Sequence, residues 1–313
     1  MKRTLATLTI LAALASAAPQ ALAFSIDELN GAEWTGTWPE GQSAIAAKVQ
    51  VLLGRGGASP GVIDGVMGMN VEKALRGFEE IHGLPVDGQM DGDVWSRLNG
   101  SEPAFTRYTV SEKDVAGLVE AIPEDKAEQA RMERLGYVSA AEALAEKFHM
   151  DIDFLRHLNP ESDFAPGSSI IVANPGERLK VPVAHLIADK SDERLMAYDG
   201  EGRLRLSYPA TIGSDETPSP SGTHQVKVIV DDPDYTYTPK EEGAEKLRLP
   251  PGPNGLVGNV WIGLSAPTYG IHGTPDPAHI SRTNSSGCVR LTNWDAGELA
   301  HTIERGIPVE FRE

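Results

Sequence analysis

The stretch Tyr269–Asn293, YGIHGTPDPAHISRTNSSGCVRLTN, carries the one cysteine of the 313-residue chain. Cys288 follows Gly287 and precedes Arg290 by two positions, and His272 lies upstream in Ile271-His272-Gly273-Thr274. A thiol attacks as its thiolate, and a nearby imidazole lowers the thiol pKa and can move the proton. A glycine before the nucleophile admits a close substrate backbone and lets consecutive N–H groups point at one oxygen. On an extended strand Arg290 alternates onto the face of Cys288, where a guanidinium can hold a carboxylate in a two-pronged contact. An isolated cysteine is more often a small buried hydrophobe, so the neighbours of Cys288 carry the reading of nucleophilic cysteine catalysis.

Outward from this stretch the texture is β. From Leu179 onward, Val181, Val183, Leu186 and Ile187, then Arg203-Leu204-Arg205-Leu206, then Val226, Val228 and Val230 form short alternating or apolar runs. Turn clusters separate them at Asp199-Gly200-Glu201-Gly202 and Thr217-Pro218-Ser219-Pro220-Ser221-Gly222. Such spacing over 179–313 predicts a mainly-β sandwich or barrel. Residues 231–254 lack periodicity and are expected to be a long loop acting as a lid or substrate wall.

The segment resembles the catalytic signature of the YkuD-type L,D-transpeptidases, cysteine enzymes that cross-link peptidoglycan through a thioester. The resemblance extends through Thr217–Gly222, through Leu249-Pro250-Pro251-Gly252-Pro253-Asn254-Gly255-Leu256-Val257-Gly258, and through Trp261-Ile262-Gly263-Leu264. It implies that Cys288 is the nucleophile, His272 the base and the Gly273 carbonyl the group that orients the imidazole. N–H groups from Ser286 through Gly287 to Cys288 would form the oxyanion hole. Arg290, with Thr274, Ser285 and Tyr269, is expected to contact substrate. The family's usual second histidine is replaced by Ser286, which has no base function near neutral pH. His279 and Arg282 are read either as substrate contacts or as a solvated loop. No metal site or phosphate loop stands out, and no cofactor is expected.

Upstream, residues 43–100 read as a small helical unit. Ile45, Val49 and Leu52 share one helical face and Val71, Leu75 and Phe78 another. Together with Ile63-Asp64-Gly65, Gly83-Leu84, Asp87-Gly88, Trp95 and Leu98, they resemble the three-helix peptidoglycan-binding module found beside many cell-wall enzymes. Residues 105–175 follow as strand, helix, helix, strand. Ser139 to Glu142 has capping-box spacing, Asp151 can cap a second helix, and Asn159-Pro160 stops it. The order resembles a LysM-like α/β module, or a helical connector module, with an unusually long Glu112–Tyr137 link. Residues 24–42 read as a linker or clamp. Residues 1–23 read as a secretory signal peptide: Lys2 and Arg3, an apolar Leu5 to Ala18, and Ala21-Leu22-Ala23 before cleavage.

Composition closes off several classes. With 28 Lys and Arg against 45 Asp and Glu, the formal charge is −17, the opposite of what phosphate neutralisation or anionic lipid needs. No nucleic-acid partner is expected, and after signal cleavage no transmembrane segment. The expectation is a multidomain α+β periplasmic enzyme acting on peptidoglycan stem peptides. Cys288 would attack the diaminopimelate carbonyl of a stem tetrapeptide and release D-Ala, and carbapenems would acylate the same thiol. An outer-membrane protein amine, or water, is an alternative acceptor. A non-catalytic wall-binding protein is the alternative of a different kind.

Overall fold

The computed structural model describes residues 23–213, 217–239, 243–283, 285 and 287–313. The expected signal peptide, apart from Ala23, lies outside the described residues, as does Ser286.

Four helices come first: α1 (Ile26–Gly31), α2 (Ala44–Arg55), α3 (Met69–His82) and α4 (Gly92–Leu98). Ser25, Ser43 and Asp91 each accept a first-turn N–H of α1, α2 and α4, satisfying donors that a helix start leaves unpaired. Helix α3 stops at Gly83, φ 67, a left-handed turn that only glycine enters without strain. Val49, Leu53, Val71, Leu75, Phe78 and Val94 from α2, α3 and α4 close one small core. Residues 24–42 contain more than a linker. Ser25 and Glu28 form a reciprocal capping box, and Leu29 is fully buried in the core of the next module with Phe105. A helix of six residues with one buried side chain has no periodicity to read.

The middle module runs β1 (Phe105–Thr109), α5 (Lys126–Gln129), α6 (Ala140–Lys147), α7 (Ile152–Leu158) and β2 (Ser169–Ala173). Strands β1 and β2 pair antiparallel, Phe105 opposite Ala173. Asn159 explains its place at the end of α7. Its side chain donates to the Leu155 and Ile171 carbonyls and accepts the Ile171 N–H, tying helix to strand. The capping box of α6 is half formed. Ser139 Oγ accepts the Glu142 N–H at 3.1 Å, but Glu142 Oε2 accepts the Val138 N–H at 2.6 Å instead of that of Ser139. The other oxygen of Glu142 is taken by the Asn254 amide at 2.7 Å, so a contact between modules sets the rotamer. The long link ahead of α6 reaches the same neighbour: Leu135 donates to the Pro251 carbonyl at 2.9 Å and accepts the Asn254 N–H at 3.0 Å.

The third module comprises β3 (His185–Asp189), β4 (Arg194–Tyr198), β5 (Leu204–Pro209), β6 (Thr211–Ile212), β7 (Gly222–Asp231), β8 (Tyr235–Tyr237), β9 (Leu247–Leu249), β10 (Val260–Leu264), β11 (Gly270–His272), β12 (Val289–Arg290), α8 (Asn293–Thr302) and β13 (Pro308–Arg312). Among the described residues nine strands form one mixed sheet, ordered β5-β4-β3-β13-β7-β10-β11-β12-β6. The two end strands, β5 and β6, are separated in sequence only by Ala210. The sheet therefore curls until its edges nearly meet, a near-barrel that leaves little open edge. Leu186, Leu206, Tyr208, Ile262, Ile271, Val289 and Val309 fill it, with Leu299 of α8 packed against them. The segment 231–254, expected to be a plain loop, contains the hairpin β8–β9, with Tyr235 opposite Leu249.

The first module rides directly on this sheet. Ser207 of β5 donates to the Gly57 carbonyl at 2.8 Å and accepts the Ser59 N–H at 2.9 Å. A Cβ at Gly77 of α3 would lie 2.7 Å from Ser207 Cβ, so glycine lets helix and strand touch.

Candidate active site

Strand β11 lies parallel to β12, with Ile271 opposite Val289 and His272 opposite Arg290. Cys288 immediately precedes β12. Side-chain alternation therefore puts Cys288, Arg290 and His272 on one face of the sheet, while the fully buried Ile271 and Val289 point into the core. Three of the residues singled out in the sequence are brought together by this register alone.

His272 is 6% exposed. Its Nδ1 lies 2.7 Å from the Gly273 carbonyl oxygen. A carbonyl only accepts, so the proton sits on Nδ1 and Nε2 keeps a lone pair. The indole of Trp261 stacks on the imidazole, ring centroids 5.7 Å apart and planes 23° apart. Burial, with the charge of Arg290 adding, pushes His272 down to about 4 against the pull of the Gly273 carbonyl. Burial likewise pushes the Cys288 thiol up, partly offset by the Gly270 backbone N–H and Arg290. The imidazole was expected to lower the thiol pKa. Instead both groups rest neutral at pH 7, because the face that aligns them also removes water from both.

The loop entering Cys288 is tightly braced. Gly287 has φ +95, and a Cβ there would lie 2.6 Å from the Tyr269 ring and 3.0 Å from the Pro218 carbonyl oxygen. Glycine is required on both counts. The Tyr269 hydroxyl donates to Pro218 at 3.4 Å, so this ring braces the loop. Ser285, expected to touch substrate, is instead buried at 4% exposure. Its Oγ accepts the Gly213 N–H at 2.7 Å and donates to the Cys288 carbonyl at 2.6 Å, pinning the Cys288 backbone to the end of β6. Thr274 is buried as well, and its hydroxyl accepts the Asp276 N–H at 3.2 Å, which closes a turn. His279 and Arg282 lie on exposed loop, with His279 Nδ1 2.6 Å from Asp276. The Sγ of the half-buried Cys288 is 3.8 Å from the Thr268 carbonyl.

Two residues near this site had no role assigned from the sequence. Trp261 pairs with His272 across β10–β11, and its indole fits only because Gly270 and Gly263 lie beneath it. Added Cβ atoms would come within 2.6 and 2.9 Å of the ring. The Trp-x-Gly spacing was the available signal. Tyr235 of the hairpin has its hydroxyl pushed up by burial and by the neighbouring Cys288. Tyr235 and Trp261 share a cavity of about 310 Å³ with Val230, Pro233, Asp234 and Val257. Among the described residues no group of three or more His, Cys, Asp or Glu is placed to hold a metal ion.

A near-barrel presenting an oriented imidazole and a single thiol on one strand face, with a helical unit and an α+β unit preceding it in the chain, is the site to be compared with known proteins. Residues 184–311 match the L,D-transpeptidase catalytic domain (YkuD), and residues 44–98 match a putative peptidoglycan binding domain. A putative L,D-transpeptidase YkuD of Bacillus licheniformis is 31% identical over 173 residues, 54% of this chain and 92% of that protein. The Bacillus subtilis protein of the same description is 28% identical, covering 53% and 90%. Among solved structures, an Enterococcus faecium L,D-transpeptidase C442S mutant is 19% identical with a TM-score of 0.33, covering 42% of this chain and 50% of that one. The chain belongs to the YkuD-type L,D-transpeptidase family, and is thus an enzyme of the acyltransferase kind.

Proposed function

We propose that the chain is a peptidoglycan L,D-transpeptidase working through a Cys288 thioester. The observation that carries this is the single strand face shared by Cys288, His272 and Arg290, with His272 Nε2 left unprotonated by the Gly273 carbonyl. Cys288 Sγ attacks the diaminopimelate carbonyl of a stem tetrapeptide as its proton passes to His272 Nε2. The thiol begins protonated, so the proton leaves as the C–S bond forms. Backbone N–H groups at Gly287 and Cys288 stabilise the developing oxyanion. Collapse breaks the C–N bond, and the departing D-Ala amine takes the proton from His272. An acceptor amine from a neighbouring stem then attacks the thioester and restores the thiol. The broken amide's energy is conserved in the thioester, so no ATP is needed. Arg290, half-buried beside Cys288, holds a substrate carboxylate. The first module holds the enzyme to the wall, and the enzyme acts outside the cytoplasm, in the periplasm. Among the described residues no helix is long and apolar enough to cross a membrane.

The test is incubation with tetrapeptide-rich sacculi followed by muropeptide analysis. Cross-linked dimers joined through diaminopimelate are expected, and Cys288→Ala should lower their formation by on the order of 10⁴-fold. Tripeptides alone would make the enzyme a carboxypeptidase, and protein-linked tripeptide would make the acceptor an outer-membrane protein. Intact-mass measurement with a carbapenem should give one covalent adduct on the wild type and none on Cys288→Ala. An adduct that survives the substitution defeats the cysteine mechanism.

A further inference from the structure

Asn293 begins α8 directly behind the imidazole, and the reaction above makes no use of its side chain. It is 2% exposed. Its Oδ1 accepts the Asn259 N–H at 3.2 Å, and its Nδ2 donates to the Pro253 carbonyl at 3.3 Å. The same oxygen occupies space that two glycines leave open. An added Cβ would lie 1.9 Å from it at Gly258 and 2.1 Å from it at Gly273. Gly258 is further held by φ +61, and its missing Cβ would also meet the Gly273 carbonyl carbon at 2.8 Å. Loop 253–259, the Gly273 peptide and the start of α8 therefore interlock through one carboxamide.

Gly273 is the residue whose carbonyl holds His272 Nδ1. Its own N–H makes only a long bond, 3.3 Å to the Val260 carbonyl, so its peptide plane depends on what packs behind it. The other end of the loop is bonded to Leu135 and Glu142 of the middle module. Glu146 of α6 also lies against Asn293: burial raises its carboxyl to about 7, and the Asn293 side chain opposes this.

We infer that Asn293 is a positioning residue: its carboxamide fixes the Gly273 peptide so that His272 stays in the Nδ1–H form with Nε2 free for the thiol proton, and links that base to the middle module. The link to turnover rests on His272 acting as the base for Cys288. The effect of a misaligned base is large, on the order of 10²-fold for about 1 Å of displacement.

The test uses the full chain with ¹⁵N-labelled histidine. In the wild type near pH 7, His272 should show one protonated nitrogen, Nδ1, and one unprotonated nitrogen, Nε2. Asn293→Ala should average the two, lower kcat for D-Ala release by on the order of 10²-fold and leave KM within about twofold. Asn293→Asp keeps the oxygen between the glycines and should restore the single tautomer. Asn293→Ser, which is too short to reach both glycines, takes the place of the alanine variant with the same readouts should that variant not fold. A truncated variant with the wild-type tautomer overturns the inference, whether its kcat is retained or lost. The nitrogen shifts need no turnover, so a failure of the transpeptidase reading leaves this result separately readable.

Discussion

His272 and His149 are both imidazoles stacked on a tryptophan. His272 lies on Trp261 at 5.7 Å and 23°, and His149 lies on Trp294 at 5.1 Å and 8°. Burial holds both neutral, and a nearby arginine adds to the effect: Arg290 for His272, at about 4, and Arg178 for His149, at about 3. Their surroundings separate them. His272 has a backbone carbonyl on Nδ1 and Cys288 on its own strand face. The His149 ring has no hydrogen-bond partner among the described residues. It lines cavities between the modules with Trp294, Lys147 and Arg178. A displaced pKa and an aromatic neighbour therefore do not identify a base. The proposed base is set apart by an oriented nitrogen on the strand face of Cys288.

The comparison is broken most directly by exchanging each histidine for phenylalanine, which keeps the stack. His272→Phe should lower transpeptidation on the order of 10³-fold. His149→Phe should leave kcat within about twofold, since its ring faces no reacting group. It should change stability instead. The folded pKa of His149 is depressed to about 3 from 6.5, so wild-type stability falls as pH drops below about 6.5 toward 3. The phenylalanine variant should lose that part of the acid limb in thermal melts. A catalytic collapse in His149→Phe would mean that the two stacks are not distinct in role.

A smaller effect sharpens the stack at the catalytic face. Trp261→Ala lets water reach the imidazole and should raise the His272 pKa from about 4 toward 6.5. With His272 as the proposed base, which must be neutral to accept the proton, the acidic limb of kcat/KM should move to higher pH, with a loss on the order of 10-fold at about pH 5.5 and little change at pH 7. An unmoved limb would leave Trp261 as a wall of the adjoining cavity only.

The junction offers the smallest test. Burial raises Asp295 to about 8, with Glu298 and Glu146 adding and hydrogen bonds from Thr292 and Ser59 opposing. The folded state then binds more protons than the unfolded chain between about pH 4 and 8, so stability falls as pH rises through that window. Asp295→Asn still accepts from Ser59, bonded at 3.0 Å in the wild type, and should flatten the fall, raising Tm at pH 8 by a few degrees more than at pH 5. An equal slope in the two proteins would show that the junction does not titrate in this range.

Much of this was legible because it is local. The helical faces of Val49 and Leu53, or Val71, Leu75 and Phe78, follow from spacing along one element. The turn at Gly287 follows from a residue type that tolerates its φ. Ser285 and Thr274 stand inside the signature, and only the fold shows that both hydroxyls are buried and bonded within the loop. Glu142 was expected to cap its own helix, but the Asn254 amide supplied a competing partner from another module.

By itself the sequence determined the family and the peptidoglycan-binding-like unit ahead of the catalytic domain, and it singled out the nucleophile and base proposed within it. Those depend on residue types at short range, where chain geometry leaves few choices. The tertiary structure alone decided that Trp261 stacks on His272, that Tyr235 comes near Cys288 and that Asn293 stands behind Gly273. Each depends on strand register or on packing between distant segments. It also decided that thiol and imidazole rest neutral, since that follows from how much water the folded sheet excludes.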